Sequence, residues 1–266
     1  MPPAAAPAAP AYATPRAAPD TAAEPAAPEN PRAAQPERPT VSNPASTIAP
    51  GYAELETGAE RDTPGDGTRA LGVPTELKLG LAPRVQLNVQ LPTRAATGTA
   101  FGVGDLAAGV KWRVLEDAPL VRDFALYPAV KFNTGGARGT GTTDASLVVI
   151  SSRRVAGADL DLNVGATRRS GDGTRAPRTA TVWAAALGAP VRGALNWTGE
   201  LYGYPGTRGP AGQRPVVAVL TGPTYTLRPE VVVDLGAILP VAGPQPHALY
   251  AGVTANLGRA FRAPFR

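Results

Sequence analysis

Residues able to do covalent chemistry are few in this chain. It has 266 residues, no Cys and a single His, His247. A thiol nucleophile, a disulfide scaffold, a cysteine zinc site and a multi-histidine metal centre are therefore excluded. His247, in Pro244-Gln245-Pro246-His247, is the only candidate base for serine catalysis. No Gly-x-Ser-x-Gly turn or evident Ser partner accompanies it, so it reads as a loop edge. Gly102-Val103-Gly104 lacks the third glycine of a dinucleotide fingerprint and precedes a strand, not a helix. Gly-Asp-Gly-Thr-Arg occurs twice, at 65–69 and 171–175. One Asp in each copy is far from the six to eight oxygens of a calcium cage, and turn chemistry accounts for both copies. The expectation is a non-enzyme with no catalytic, cofactor-binding or metal residues, and no cofactor.

The informative charges lie elsewhere, on one phase of alternating segments. Glu54, Glu56, Glu76, Lys78, Lys111, Arg113, Lys131, Asp159, Asp161, Glu200 and Asp234 all fall opposite an uncharged apolar phase. They are the candidate lining of an interior. With Glu60, Asp105 and Glu230 the phase carries ten acids; with Arg169 it carries five bases. A chain of formal charge +5 thus presents an acidic interior, which predicts weak cation preference if that interior is an open pore.

Placing those side chains on one face requires strands. Val85, Leu87, Val89 and Leu91 alternate with Gln86, Asn88 and Gln90, and Leu160, Leu162 and Val164 with Asp159, Asp161 and Asn163. Period-two alternation bounded by Gly, Pro, Thr and Asp is the pattern of half-buried strands and turns. Twelve such runs are expected, near 51–60, 75–82, 85–91, 104–115, 123–133, 144–153, 159–169, 179–188, 194–204, 215–226, 230–239 and 247–259, and no helix. Short connections at 83–84, 116–122, 154–158, 189–193 and 227–229 alternate with mostly longer ones at 61–74, 92–103, 134–143, 170–178, 205–214 and 240–246. Short turns at one end and long loops at the other describe an up-and-down outer-membrane barrel. Most runs bracket the ~9–11 residues that a tilted strand needs to cross a bilayer. Twelve strands, ~4.8 Å apart and tilted ~40°, enclose a narrow lumen about 12 Å in backbone radius.

A soluble sandwich also alternates, so the test is how clean the apolar phase is. Leu77, Leu79, Leu87, Val110, Trp112, Leu126, Val149, Val164, Trp197, Val233, Leu235 and Val253 are among its members, and none is charged. Lipid would penalise an Arg or Lys there by roughly 2–4 kcal/mol near the midplane. Pro128 interrupts this phase and predicts a bulge. Trp112, Phe124, Trp197, Tyr225 and Phe261 would sit near the periplasmic rim, and Phe132 near the other.

Residues 1–38 hold ten prolines and fifteen alanines without periodicity, the composition of a disordered leader. Ala11-Tyr12-Ala13 has the small-x-small form of a signal-cleavage site. Two readings stay open: the tail of a signal peptide begun further upstream, or a flexible leader with a chance Ala-x-Ala.

Several motifs point to a family. Arg38-Pro39-Thr40-Val41-Ser42-Asn43 and Ala49-Pro50-Gly51-Tyr52-Ala53-Glu54-Leu55-Glu56-Thr57-Gly58 resemble the opening of certain bacterial outer-membrane proteins. These are the "transporter" proteins of the phenol-degradation meta pathway. Gly102-Val103-Gly104-Asp105-Leu106, Gly109-Val110-Lys111-Trp112-Arg113, Tyr127-Pro128-Ala129-Val130-Lys131-Phe132-Asn133-Thr134-Gly135 and Gly139-Thr140-Gly141-Thr142-Thr143-Asp144 extend the resemblance. It implies a β-barrel that passes or binds small molecules, in some members aromatic growth substrates, and carries over no catalytic residue.

The expectation is an all-β protein. Residues 1–38 form a disordered leader, and 39–266 form an up-and-down antiparallel transmembrane β-barrel of about twelve strands in a Gram-negative outer membrane. Its function is passive passage of small, aromatic or hydrophobic molecules through a narrow polar lumen. Partners are outer-membrane lipid, the barrel-assembly machinery and the solute, with no nucleic acid. Lipopolysaccharide phosphates are a further expected partner, for the loop arginines Arg61, Arg69, Arg94, Arg138, Arg175, Arg178, Arg208 and Arg214. Two alternatives remain at this stage. One is a non-conducting structural or binding barrel plugged by ion pairs or by residues 39–50; the other is a soluble secreted β-sandwich.

Overall fold

Alternating side chains impose extended backbone, and extended backbone must pair its N–H and C=O groups with a neighbour. In the computed structural model, which describes residues 30–63, 69–96, 99–120 and 122–262, every long strand does so with the next. The strands are β1 (Tyr52–Thr63), β2 (Ala70–Val73), β3 (Thr75–Ala82), β4 (Val85–Gln90) and β5 (Thr93–Ala96). Then come β6 (Gly102–Val103), β7 (Ala107–Ala118), β8 (Arg122–Lys131), β9 (Asp144–Val155) and β10 (Ala158–Arg169). The last are β11 (Thr179–Arg192), β12 (Leu195–Tyr204), β13 (Val216–Arg228), β14 (Val231–Ala242) and β15 (His247–Arg259). Among the described residues the one helical element is a 3-10 turn, Gly136–Arg138.

Twelve of these strands form the wall, in the order β15-β14-β13-β12-β11-β10-β9-β8-β7-β4-β3-β1, and β15 pairs back onto β1. That last ladder runs from Tyr52↔Arg259 to Thr63↔His247. It closes the sheet into a barrel with no free edge, which a two-sheet sandwich cannot have. The twelve expected runs coincide with the twelve wall strands. The other three strands extend two of them beyond the rim. Pro74 separates β2 from β3, and Pro92 lies between β4 and β5; a proline supplies no ladder N–H. Past those breaks β2 pairs with β5, and β5 with β6.

Two local expectations are corrected. The seventh strand begins at Ala107 rather than 104, so Asp105 is a loop residue. No bulge occurs at Pro128. Its strand keeps register with β9 throughout, including Pro128↔Leu147. Toward β7 the ladder skips from Gly109↔Ala129 to Trp112↔Leu126 without a shift. One missing donor is tolerated because the bonds on either side hold the register. The bulges of this pair fall between Arg113 and Ala118, next to the short turn.

The outward face is apolar and open to lipid: Val164 is 63 % exposed and Leu235 59 %, with Trp112, Trp197, Leu249 and Leu257 also exposed. A closed barrel with this exterior is a transmembrane barrel of the bacterial outer membrane. Val164 lies mid-strand in β10. Val164→Arg is expected to destabilise the folded barrel by about 2–4 kcal/mol, measured by urea unfolding from lipid vesicles, whereas Asn163→Arg on the inner face would report on packing instead.

Candidate functional site, a plugged lumen

The interior is not an empty tube. Residues 30–50 enter at the short-turn end, cross the lumen and return to β1. Ala34 N donates to Pro229 O at 2.8 Å and Arg32 lies 3.9 Å from Glu230, both at the mouth. The return leg is held where Gly51 N donates to Gly80 O at 2.7 Å. The leader boundary expected at residue 38 is thereby corrected: 30–38 pack inside the barrel, and Glu37 is only 5 % exposed. A Pro-rich segment cannot build a core of its own, but here the wall supplies one. Residues 1–29 and the Ala11-Tyr12-Ala13 motif lie outside the described residues, as do 65–68 of the first Gly-Asp-Gly-Thr-Arg copy. The second copy is a turn, with Asp172 Oδ1 accepting from Thr174 N at 2.9 Å.

An irregular segment has no strand partner, so its amide N–H groups need other acceptors. The wall provides them as side chains. Gln35 N donates to Glu54 Oε2 at 2.8 Å, and Glu37 N and Arg38 N donate to the two oxygens of Glu56 at 2.7 and 3.1 Å. Val41 N and Ser42 N share the carboxylate of Glu200 at 2.8 and 2.6 Å. Asn43 N reaches Asn163 Oδ1 at 2.9 Å, Ala45 N reaches Ser152 Oγ at 2.8 Å, and Ile48 N reaches Gln86 Oε1 at 2.9 Å. Carboxylates accept without donating and form the stronger, charge-assisted bonds. Prolines at 31, 36, 39, 44 and 50 bring no N–H to satisfy.

On the wall formed by β1, β3, β4 and β7, a buried ion cluster fixes the entering leg. Lys78 Nζ lies 2.6 Å from both Glu54 and Glu56 and donates to Gln35 O at 2.5 Å. Lys111 Nζ donates to Glu37 Oε1 at 2.7 Å and to Pro44 O at 3.0 Å. Both lysines are fully buried. An ammonium taken from water is tolerated only with such complete coordination. Gln86 and Asn88 add amide donors to Glu37 at 2.6 and 3.2 Å. Two strands round the wall from Glu56, Arg38 makes a two-pronged contact with Asp234 of β14, at 3.1 and 3.2 Å. It passes over a notch made by the cross-strand pair Gly58 and Gly252, where an added Cβ would collide with the guanidinium at either position.

Of the candidate lining residues, Glu54, Glu56, Lys78, Lys111, Glu200 and Asp234 therefore meet around the plug. Glu76 faces the same interior but is held by neutral amides, Asn88 Nδ2 at 2.6 Å and Gln90 Nε2 at 3.2 Å. Asp161 accepts from Ser152 Oγ at 2.5 Å. Arg113 lies near the short turn, 3.1 Å from Glu116 and 3.8 Å from Asp123. Asp159 is also near a short turn, 68 % exposed and 3.9 Å from Arg154. Lys131 stands at the opposite rim, donating to Asp105 at 2.9 Å and to Thr142 O at 2.6 Å. Asp105 ties down the 134–140 loop, accepting from Gly135 N at 2.9 Å and Thr140 N at 2.8 Å. Burial pushes its carboxyl up, but the Thr140 amide, the Lys131 ammonium and the Gly135 amide outweigh this and hold it well below the usual carboxylate range. His247 is exposed at the start of β15.

Sequence reasoning missed Glu37, because it falls in the Pro/Ala segment; the start of the family-like motif at Arg38 was the available signal. It also missed an apolar strip inside the barrel. Ala184, Tyr202, Ala218, Leu220, Ile238, Ala248 and Tyr250 form one buried cluster with Val41 of the plug against it. The expected polar lumen is therefore broken by an apolar strip on β11–β15, strands that also carry the buried Glu200 and Asp234.

The plug divides the remaining space in two. A cavity of ≈ 350 Å³ on the long-loop side is lined by Glu56, Glu60, Pro74, Glu76, Pro92, Leu220 and Ile238 among others. A cavity of ≈ 570 Å³ on the short-turn side is lined by Gln35, Asp123, Ser152, Asp161, Asn196 and Thr224 among others. Arg38 and Thr40 line both, so the septum there is one chain thick.

Lys78→Met would leave Glu54 and Glu56 buried without their cation, and an expected loss of about 3–5 kcal/mol is measurable by urea unfolding. Because the Asp105 carboxyl is held below its ordinary 3.8, its anchoring is complete above that value and fades as pH falls below it. Amide exchange in the 134–140 loop should accelerate on acidification, and Asp105→Asn should accelerate it already at neutral pH.

Likeness to known proteins agrees with this geometry. An outer membrane channel from Pseudomonas putida F1 superposes with a TM-score of 0.62 at 12 % identity, over 80 % of this chain and 98 % of that one. The KdgM porin, in complex with disordered oligogalacturonate, gives 0.50 at 8 % identity, over 76 % and 98 %. These identities establish the barrel fold. No curated protein sequence matches. The model of the family described as the putative MetA-pathway of phenol degradation matches residues 37–255, from the plug's buried glutamate to the last wall strand, and the chain belongs to that family.

Proposed function

We propose that the protein is a passive outer-membrane channel for small molecules, with residues 30–50 as an inserted constriction. One observation carries this reading: two cavities on opposite sides of the plug are separated, at Arg38 and Thr40, by a single thickness of chain. A displacement of that segment joins them, while the rest of the plug stays bonded to the wall. The outer side of the path is lined by Glu56, Glu60 and Glu76, which supports cation preference there, whereas on the inner side Asp117, Asp123, Asp159 and Asp161 are matched by Arg38, Arg122, Arg153 and Arg154. The apolar strip on β11–β15 supports solutes with an aromatic or aliphatic body. Passage is driven by the solute gradient, with no catalytic step.

The lipid partners belong to the same proposal. Arg61 is exposed on β1, and Arg168 and Arg175 lie exposed near the long-loop end, where guanidinium forks fit lipopolysaccharide phosphates. Arg94 and Arg138 are instead engaged internally, with Asp62 and with Ala100 O. Insertion by the barrel-assembly machinery is proposed from the fold.

Single-channel recording in planar bilayers tests the reading. Arg38→Ala, which removes the brace to Asp234, should raise conductance or open probability severalfold over wild type, and reversal potentials should favour cations. The chain has no native Cys, so Ala45→Cys with Ser152→Cys gives a clean crosslink of the plug to β9. Because only the Arg38–Thr40 septum moves, oxidation should leave conductance unchanged, and a loss of conductance restored by reduction would show that the whole plug has to leave. Folded wild type and Arg38→Ala both without conductance would instead identify a plugged structural or binding barrel, the reading favoured by the buried ion pairs of the plug.

A further inference from the structure

Most of the bonds that hold residues 30–50 to the wall end on main-chain atoms of the segment. Glu54, Glu56 and Glu200 accept its amide N–H groups, and Lys78 and Lys111 donate to the carbonyls of Gln35 and Pro44. Asn163 does both: its Oδ1 accepts from Asn43 N and its Nδ2 donates to Asn43 O, each at 2.9 Å. Gln35 and Asn43 are thus bonded through N and O, and their side chains make no hydrogen bond among the described residues. Inside the lumen two side chains of the segment are recognised by charge. Glu37 is received by Lys111 and the Gln86 and Asn88 amides, and Arg38 by Asp234.

The path of the segment supplies a second observation. Its entering leg passes the β13–β14 turn, where Ala34 N meets Pro229 O, and its return leg passes Gly80, near the β3–β4 turn. Both lie at the short-turn end. Between them Thr40 Oγ1 donates to Ser42 O at 2.7 Å, closing a turn whose tip lines the outer cavity. Residues 30–50 are therefore a hairpin seated from the periplasmic side, not a chain threaded through the pore, and can be withdrawn by the way they entered. Prolines at 36, 39 and 44 stand between the bonded amides and keep the chain extended.

We propose that the periplasmic half of the lumen is a peptide-binding groove, with residues 30–50 as its tethered occupant. Its ligand is an extended, proline-punctuated peptide with a Glu-Arg step, presented from the short-turn side. Main-chain bonds supply affinity that tolerates many sequences, as when a strand is added to a sheet edge, while Lys111 and Asp234 select the acid–base step. The buried ammonium and carboxylate groups of the wall are costly without their partners, so exchange replaces one peptide by another and leaves no empty groove. Binding itself does not rest on the channel reading.

The test is fluorescence anisotropy on the full chain in detergent, with three labelled peptides of residues 30–50. One has the native sequence, one carries Gln35→Ala and Asn43→Ala, and one keeps both side chains but is N-methylated at those two amides. The tether makes the native segment an intramolecular competitor, so wild type should bind all three weakly. Arg38→Ala, whose own segment has lost its brace to Asp234, should bind the native peptide about tenfold more tightly than wild type does. On that variant the alanine peptide should match the native one within about threefold, and the N-methylated one should be about tenfold weaker. Heat-modifiable gel migration shows that the host is folded. Should Arg38→Ala fail to fold, Ser42→Pro, which removes one amide bond to Glu200, serves as host, and the same order is required. No gain over wild type, an N-methylated peptide that binds as well as the native one, or loss of binding by the alanine peptide each overturns the proposal. Peptide binding to a barrel that never conducts supports the groove and refutes the channel; conduction without peptide binding does the reverse.

Discussion

The interior of this barrel is organised by the need to satisfy backbone amides that have no strand partner. Twelve wall strands pair with one another all the way round, so beyond the Ala34 N bond to the turn carbonyl of Pro229 at the mouth, the plug amides that meet the wall do so at side chains. Side-chain oxygens must therefore receive the plug's N–H groups, and a bare amide N–H in a dry lumen would cost roughly 1–3 kcal/mol. Glu54, Glu56 and Glu200 each accept from one or two of these amides. Buried carboxylates need compensation, and fully buried Lys78 lies against Glu54 and Glu56 while fully buried Lys111 lies against the plug's own Glu37. Much of the acidic excess of the inner face is explained in this way. It holds a segment in place before it selects any solute.

The same arrangement limits how firmly the lumen is closed. Anchors are dense along β1, β3, β4 and β7 and sparser toward β14, where Arg38 reaches over the Gly58–Gly252 notch of β1 and β15 to Asp234. The septum of Arg38 and Thr40 borders space on both sides. A plug built of extended, proline-punctuated chain has little internal structure to lose, so local displacement there leaves the remaining bonds intact. On the proposed channel reading, opening and folding stability are thus carried by different contacts on one segment.

Two-sidedness recurs inside the barrel. The outer face is uniformly apolar because lipid rejects charge. The inner face has no such rule: polar side chains on β1, β4, β9, β10, β12 and β14 hold the plug, and beside them runs an apolar strip of Leu220, Ile238, Tyr202 and Tyr250 with small alanines. Small residues at Ala184, Ala218 and Ala248 keep that strip from filling the lumen.

Strand number, order and the lipid face were legible because period-two alternation is local and lipid enforces it on every strand. Val110 and Trp112 flanking Lys111 already state which way each points. Short turns at one end and long loops at the other supplied the topology, and the motifs beginning at Arg38 supplied the family. The boundary at residue 38 was misplaced for a physical reason: low hydropathy and proline mark a segment that cannot fold alone, and they do not tell whether another part of the chain will hold it. Glu37 looks like any leader charge until Lys111, Gln86 and Asn88, at least 49 residues away, are seen to surround it. By itself the sequence determined a closed, lipid-facing barrel with a charged inner phase. Only the tertiary structure decided which charges are spent on the plug and which are left facing the cavity, because that depends on contacts between distant residues that no local period encodes.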